Sequence, residues 1–174
     1  GPWPASEKGN KYILVVTDHF TRWSEAYPIP DQEARTVAEA FVSQFVVRFG
    51  TPRMIHTDQG RNFTSKLFEE LCGLLGVKKT QTTAFRPQAN GIVERLNKTI
   101  GIMIAAYIRE NQRSWDEELA LLMMAYRASP HETTGLTPNE VMLGRQVSMP
   151  VDLQIGSPPG EESTLPEYIH DLRE

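Results

Sequence analysis

The chain has 174 residues, 40% of them hydrophobic and 23% charged, the length and balance of one ordinary globular domain with a real core. No apolar run reaches the roughly 18 residues of a membrane span, and a single cysteine, Cys72, excludes an internal disulfide and any zinc site built on several thiolates. The net charge of −4 excludes DNA binding by bulk positive charge. Nucleic-acid contact would have to come from local basic clusters such as Lys78-Lys79, Arg86, Arg95 and Lys98.

Gly1-Pro-Trp-Pro4 is a rigid, strand-breaking start. Residues 11–18 are apolar and β-rich and predict a buried strand; residues 23–29 return as a second strand ended by Pro28 and Pro30, so the two predict a hairpin. Asp31 and Glu33 place acids at a helix start, and Val37, Phe41, Phe45 and Phe49 recur at near-helical spacing up to the stop signal of Gly50 and Pro52. Residues 54–57 predict a short strand ending at Asp58, residues 65–75 a helix ended by Gly76, and residues 77–83 another strand. Strands alternating with helices imply parallel pairing here. Cys72 lies in an apolar helical stretch, which makes core packing its expected role.

A long helix is expected from Gly91 to about residue 111, because Ile92, Leu96, Ile100, Met103, Ile104 and Tyr107 form one apolar stripe. Ser114-Trp-Asp-Glu117 and Thr137-Pro-Asn-Glu140 read as capping boxes, the second with Pro at the first helical position. The first opens a helix with Leu119, Leu122, Met123 and Tyr126 inward; the second opens a short helix to Leu143. Residues 1–150 thus read as one domain. Residues 151–174 read as a linker, with Ser157-Pro-Pro-Gly, and the start of a following segment.

Two acids stand out by position. Asp58 sits in His56-Thr-Asp-Gln-Gly60, where a strand runs into a turn. Glu94 sits in the first turns of the long helix, after the Pro- and Gly-punctuated loop Phe85-Arg-Pro-Gln-Ala-Asn-Gly91. A carboxylate at a strand end and another on a helix are what a divalent-metal site needs if the fold brings them together. Each residue alone is also an ordinary turn former or solvated helix position. His19, His56 and His131 fit no zinc spacing.

With 35 residues between Asp58 and Glu94, Thr57-Asp-Gln-Gly-Arg-Asn-Phe63 at one end and Arg86-Pro-Gln-Ala-Asn-Gly-Ile-Val-Glu-Arg-Leu-Asn97 at the other, the chain resembles the catalytic core of retroviral and long-terminal-repeat retrotransposon integrases, the Ty3/gypsy group above all. The likeness runs over nearly the whole chain, including Tyr126-Arg, His131-Glu-Thr-Thr-Gly-Leu-Thr-Pro138 and Gly144-Arg. It implies an α/β, RNase H-like mixed sheet flanked by helices. It also implies metal-dependent 3′-end processing and strand transfer of retroelement DNA, with Asp58 and Glu94 as catalytic and metal-holding acids and two Mg²⁺ (or Mn²⁺) ions in the intact site. The implied partners are element ends and target DNA and further copies of the chain, with no membrane. The implied setting is a virus-like particle and then the nucleus, as part of a polyprotein.

Arg86, Gln88, Asn90 and Gly91 would form the active-site loop, with Arg95 and Lys98 beside it on the helix. Lys98 is one helical turn beyond Glu94, so the two can face one phosphate track. The family usually has Tyr and His where this chain has Phe85 and Arg86, and often a basic residue where it has Gly101.

Such integrases use a third acid. Asp18 is the tempting candidate, but the resemblance makes its strand the second of the fold, and Asp18 lies only 40 positions before Asp58. The expected acid belongs about three residues before Gly1, on a first, central strand that these residues lack. The chain as written is therefore expected to be inactive alone and less stable than a complete core. The competing reading is a domesticated or decayed integrase fold that binds DNA or protein without catalysis. An unrelated RNase H-like nuclease fits the loop and helix motif poorly.

Overall fold

The computed structural model describes residues 2–81, 90–107 and 113–155. Two hairpin-forming strands come first, β1 (Tyr12–Thr17) and β2 (Ser24–Ile29). They pair antiparallel, since the Lys11 amide before β1 bonds the carbonyl of Ile29 at the far end of β2. Helical backbone follows as α1 (Ala34–Ala40), a wider π-helical turn (Phe41–Val46) and α2 (Val47–Phe49). Then come β3 (Met54–Thr57), α3 (Lys66–Leu74), β4 (Lys78–Gln81), α4 (Asn90–Tyr107), α5 (Trp115–Arg127), α6 (Pro138–Leu143) and α7 (Pro150–Ile155).

The expected parallel pairing holds. β3 and β4 run parallel on either side of the α3 crossover, in the register Met54 to Lys78, Ile55 to Lys79, His56 to Thr80 and Thr57 to Gln81. Among the described residues the strands make two two-stranded sheets, β1–β2 and β3–β4, flanked by helices.

The chain divides into two compact units, one of residues 1–17 and 25–123, the other of residues 18–24 and 124–174. The first holds the core. Leu14 of β1, Tyr27 and Ile29 of β2, Val37, Phe41, Phe68, Cys72 and Val77 are buried together. The helical spacing read in the sequence is real: the Phe41 and Phe45 rings stack at 5.6 Å and Phe45 meets Phe49 at 5.0 Å. The widened turn was not legible in that spacing. Side-chain hydroxyls engage carbonyls in and just before it: the Ser43 hydroxyl donates to the carbonyl of Glu39 in α1 at 2.6 Å, and the Tyr27 phenol donates to that of Gln44 at 3.2 Å. Cys72 is buried, as its neighbours predict, and burial pushes its thiol pKa up.

An N-terminal arm is clipped to the start of α5. Trp115 Nε1 donates to the carbonyl of Pro4, and the Trp3 and Trp115 rings lie 6.1 Å apart. Asp116 Oδ2 accepts from Ser6 Oγ at 2.6 Å and from Asn10 Nδ2 at 2.7 Å. Lys8 pairs with Glu117 at 3.1 Å.

In the second unit, Thr137 caps α6 by the reciprocal pattern expected. Its hydroxyl accepts from the Glu140 amide, and Glu140 Oε2 accepts from the Thr137 amide. Gly144 ends that helix in the left-handed region, φ 68°. Arg127 donates to the carbonyl of Ser24 and lies over the Trp23 ring, 4.9 Å from its centre.

Candidate active site

Strand β3 delivers Asp58. Its last residue, Thr57, is buried, and the chain turns sharply beyond it, leaving Asp58 exposed at the carboxyl end of the strand. Asp58 Oδ1 accepts the Gly60 amide at 2.9 Å, the self-bonding turn that suits Asp at this position. The Gly60 carbonyl accepts the amides of Phe63 and Thr64. Ser65 caps α3 by accepting from the Phe68 amide. Beside Asp58 on β3, His56 Nδ1 meets Thr80 Oγ1 of β4 at 3.0 Å, in the register that the parallel pairing fixes.

Helix α4 delivers Glu94. Leu96, Ile100 and Ile104 are buried, and the helix packs on β1. That stripe leaves Glu94, Arg95 and Lys98 exposed. Glu94 and Lys98, one turn apart, therefore share the outward face, as their spacing predicts. The Arg95 guanidinium folds back toward the helix start, with Nη1 3.7 Å from where a Cβ on Gly91 would stand. Gly101 packs against Trp3: a Cβ there would lie 3.9 Å from the indole.

Asp18 is engaged differently. Its Oδ2 accepts both the amide of Thr21, at 2.8 Å, and the Thr21 hydroxyl, at 2.7 Å. It thereby closes the β1–β2 turn, in which Arg22 adopts φ 63°. Lys79, one of the basic candidates, is only 11% exposed at its side chain and pairs with Glu69 at 3.5 Å, because strand alternation turns it inward while Lys78 faces out. Arg86 and Gln88 lie outside the described residues, as does the side chain of Asn90.

Asp58 and Glu94 belong to the same compact unit. Among the described residues no three His, Cys, Asp or Glu side chains gather around one point that could hold a metal. The donors present are hard carboxylate oxygens, the chemistry that Mg²⁺ or Mn²⁺ takes and Zn²⁺-thiolate sites do not. Sequence reading missed Gly60 and Asn62. A Cβ on Gly60 would stand 2.7 Å from Asn62 Oδ1 and 2.9 Å from Asp58 Oδ1. The signal was present in Asp58-Gln-Gly-Arg-Asn62, but a turn motif does not reveal which side chains fold back over its glycine.

Residues 3–87 match the family model described as integrase core domain. The chain is 30% identical over 150 residues to the retrovirus-related Pol polyprotein from transposon 412 of Drosophila melanogaster, covering 86% of the chain and 12% of that protein. It is 32% identical over 166 residues to the Gag-Pol polyprotein of Baboon endogenous virus, covering 95% of the chain and 10% of that protein. The chain thus spans only about a tenth of the length of these relatives.

Among solved structures, the catalytic core domain of BIV integrase aligns with TM-score 0.61 at 28% identity, over 82% of this chain and 90% of that one. Two others share the fold. One is the HTLV-2 integrase catalytic core in complex with magnesium, in a trimeric form (TM-score 0.62, 22% identity, 78% of this chain, 88% of that one). The other is the simian T-cell lymphotropic virus intasome in complex with PP2A regulatory subunit B56 gamma (TM-score 0.69, 19% identity, 94% of this chain, 55% of that one). The α/β architecture, the strand that delivers Asp58, the helix that carries Glu94 and these likenesses together place the chain in the retroviral integrase superfamily, as an integrase core domain.

Proposed function

We propose that this domain is the catalytic core of a Ty3/gypsy-type integrase, and that Asp58 and Glu94 are two of its metal-holding acids. The observation that carries the reading is the pair of exposed carboxylates, one leaving the end of β3 and one on the outer face of α4, in a chain that aligns with an integrase core over 82% of its length. In the full reaction, water cleaves a phosphodiester near the 3′ end of the element, and the freed 3′ hydroxyl attacks a target phosphodiester, forming a bond to its 5′-linked phosphate and displacing the target's 3′ oxygen. Mg²⁺ or Mn²⁺, when bound, supplies nucleophile activation and offsets transition-state charge. Asp58 presents its carboxylate in a fixed orientation, because the Gly60 amide holds one oxygen. Lys98, on the face of Glu94, contacts backbone phosphate; Arg95, Arg86, Gln88, Asn90 and Gly91 are the further residues assigned to DNA contact by their match to the family's loop and helix motif.

Asp18 is the turn residue its hydrogen bonds describe and is not one of the metal-holding acids in this reading. The likeness to a magnesium-bound trimeric core and to an intasome supports a divalent ion, DNA and further copies of the chain as partners; the setting proposed with them is a virus-like particle and then the nucleus. A non-catalytic, domesticated module is the second reading, favoured by Arg86 and Gly101. The test is processing and joining of element-end oligonucleotides by the longer protein in Mg²⁺. Asp58→Asn and Glu94→Gln are each expected to lower turnover by about a hundredfold or more, the scale of removing one transition-state group, while Asp18→Asn leaves the chemistry in place. Abolition of joining by Asp18→Asn would reverse the assignment, and undiminished joining by Asp58→Asn would remove Asp58 from it.

A further inference from the structure

The outward side of α4 carries more than Glu94 and Lys98. Glu94, Lys98, Gly101 and Ala105 recur at spacings of four, three and four, so they lie along one side of the helix, while Leu96, Ile100 and Ile104 form its buried side. Gly101 has no side chain of its own, and the indole of Trp3 lies over it: a Cβ on Gly101 would stand 3.9 Å from Trp3 Cη2. The N-terminal arm thus supplies an aromatic ring to this stripe. Lys98 is three residues from Gly101, about 4.5 Å along the helix axis.

The arm fixes that ring in place. Pro4 restricts the backbone of Trp3 before it. The Trp3 amide donates to the carbonyl of Lys11 at 2.8 Å, and Trp115 Nε1 donates to the carbonyl of Pro4 at 2.9 Å. Trp115 is 1% exposed and backs the indole, with ring centres 6.1 Å apart, whereas Trp3 itself is only half-buried. A ring already held in position, with part of its surface accessible, loses little freedom on taking a flat ligand. Nucleobases are such ligands: each has a π-face, and stacking on it needs no charge from the protein. A phosphate at Lys98 brings its own nucleotide within reach of the indole.

We propose that Trp3 is a DNA-contacting residue, whose indole extends the Glu94–Lys98 face of α4 and stacks on an unpaired base of the bound strand. The inference rests on reading that face as the DNA path, and adds to it a residue from outside the loop and helix motif. The test is binding of a dye-labelled duplex ending in unpaired 3′ nucleotides, followed by anisotropy over a salt series and by tryptophan fluorescence, with melting of each variant measured alongside. Trp23 and Trp115 are buried, at 9% and 1% exposure, so quenching by DNA reports on Trp3. Trp3→Ala is expected to weaken binding about tenfold, within the range for one stacked base, with the salt slope unchanged. Lys98→Ala is expected to weaken binding and to lower that slope by about one. Trp3→Phe keeps a ring and is expected to bind near the parental affinity with most of the quenching gone. Parental affinity in Trp3→Ala, or undiminished quenching in Trp3→Phe, overturns the role of Trp3; a lowered slope in Lys98→Ala then leaves the DNA path standing. Equal losses of affinity in Trp3→Ala and Trp3→Phe, with lowered melting temperatures, make Trp3 a packing residue of the arm and also overturn it. Parental affinity and slope in Lys98→Ala, or no DNA binding by the parent chain, overturns the reading of the α4 face and this inference with it.

Discussion

Asp116 sits second in α5, buried, and ties that helix to an arm more than a hundred positions away through Ser6 and Asn10. Burial opposes its ionisation, but the hydrogen bonds from Ser6 and Asn10 outweigh that and hold its pKa below the ordinary 3.8. A depressed folded pKa contributes stability that is present above about pH 4 and is lost as pH falls through the folded value. Acid unfolding of the chain should therefore lose part of its steepness in Asp116→Asn. The same variant should cost about 1–3 kcal/mol at neutral pH, where a buried acceptor network is broken. An Asp116→Asn chain with unchanged neutral stability and an unchanged acid limb would show that the arm is not held by this carboxylate. The sequence offered Asp116 only as an interior position of a capping box, because its partners are distant in the chain and no local pattern reports them. Asp58 and Glu94 were legible for the opposite reason. Each is marked by its own neighbours, a turn after an apolar strand and a loop before an apolar helix.

At the scale of elements, local signals and local structure agree well. The box Thr137-Pro-Asn-Glu140 caps α6 as written, and Thr137→Ala should cost about 1 kcal/mol, read as a lower denaturant midpoint with unchanged slope. Helix α3 is held from both sides, by the Ser65 cap and by Phe68, which is 2% exposed and edge-on to Phe63. Phe68→Ala should cost about 3–5 kcal/mol and also loosen the turn that carries Asp58, so its Mn²⁺ affinity should fall with its stability. A destabilised Phe68→Ala chain with parental Mn²⁺ affinity would mean that the turn stands without α3. The parallel β3–β4 pair was legible from strand–helix–strand alternation, which leaves few other connections. The π-helical turn was not, since the phenol of Tyr27 that reaches its Gln44 carbonyl comes from a different element. The pairing of Lys79 with Glu69 was also hidden: two adjacent lysines in a sequence look alike until strand alternation separates them.

At the scale of the whole molecule, the chain covers about a tenth of the polyproteins it is related to, and the proposed activity belongs to the longer protein. The central claim, that Asp58 and Glu94 are metal-holding acids of one catalytic site, is tested most directly by the anomalous scattering of Mn²⁺ in crystals grown with the ion in excess. The account predicts peaks about 2.0–2.3 Å from a carboxylate oxygen of Asp58 and of Glu94, each absent when that residue is replaced by its amide. A peak at Asp18, or saturating Mn²⁺ with none at Asp58 or Glu94, would contradict it.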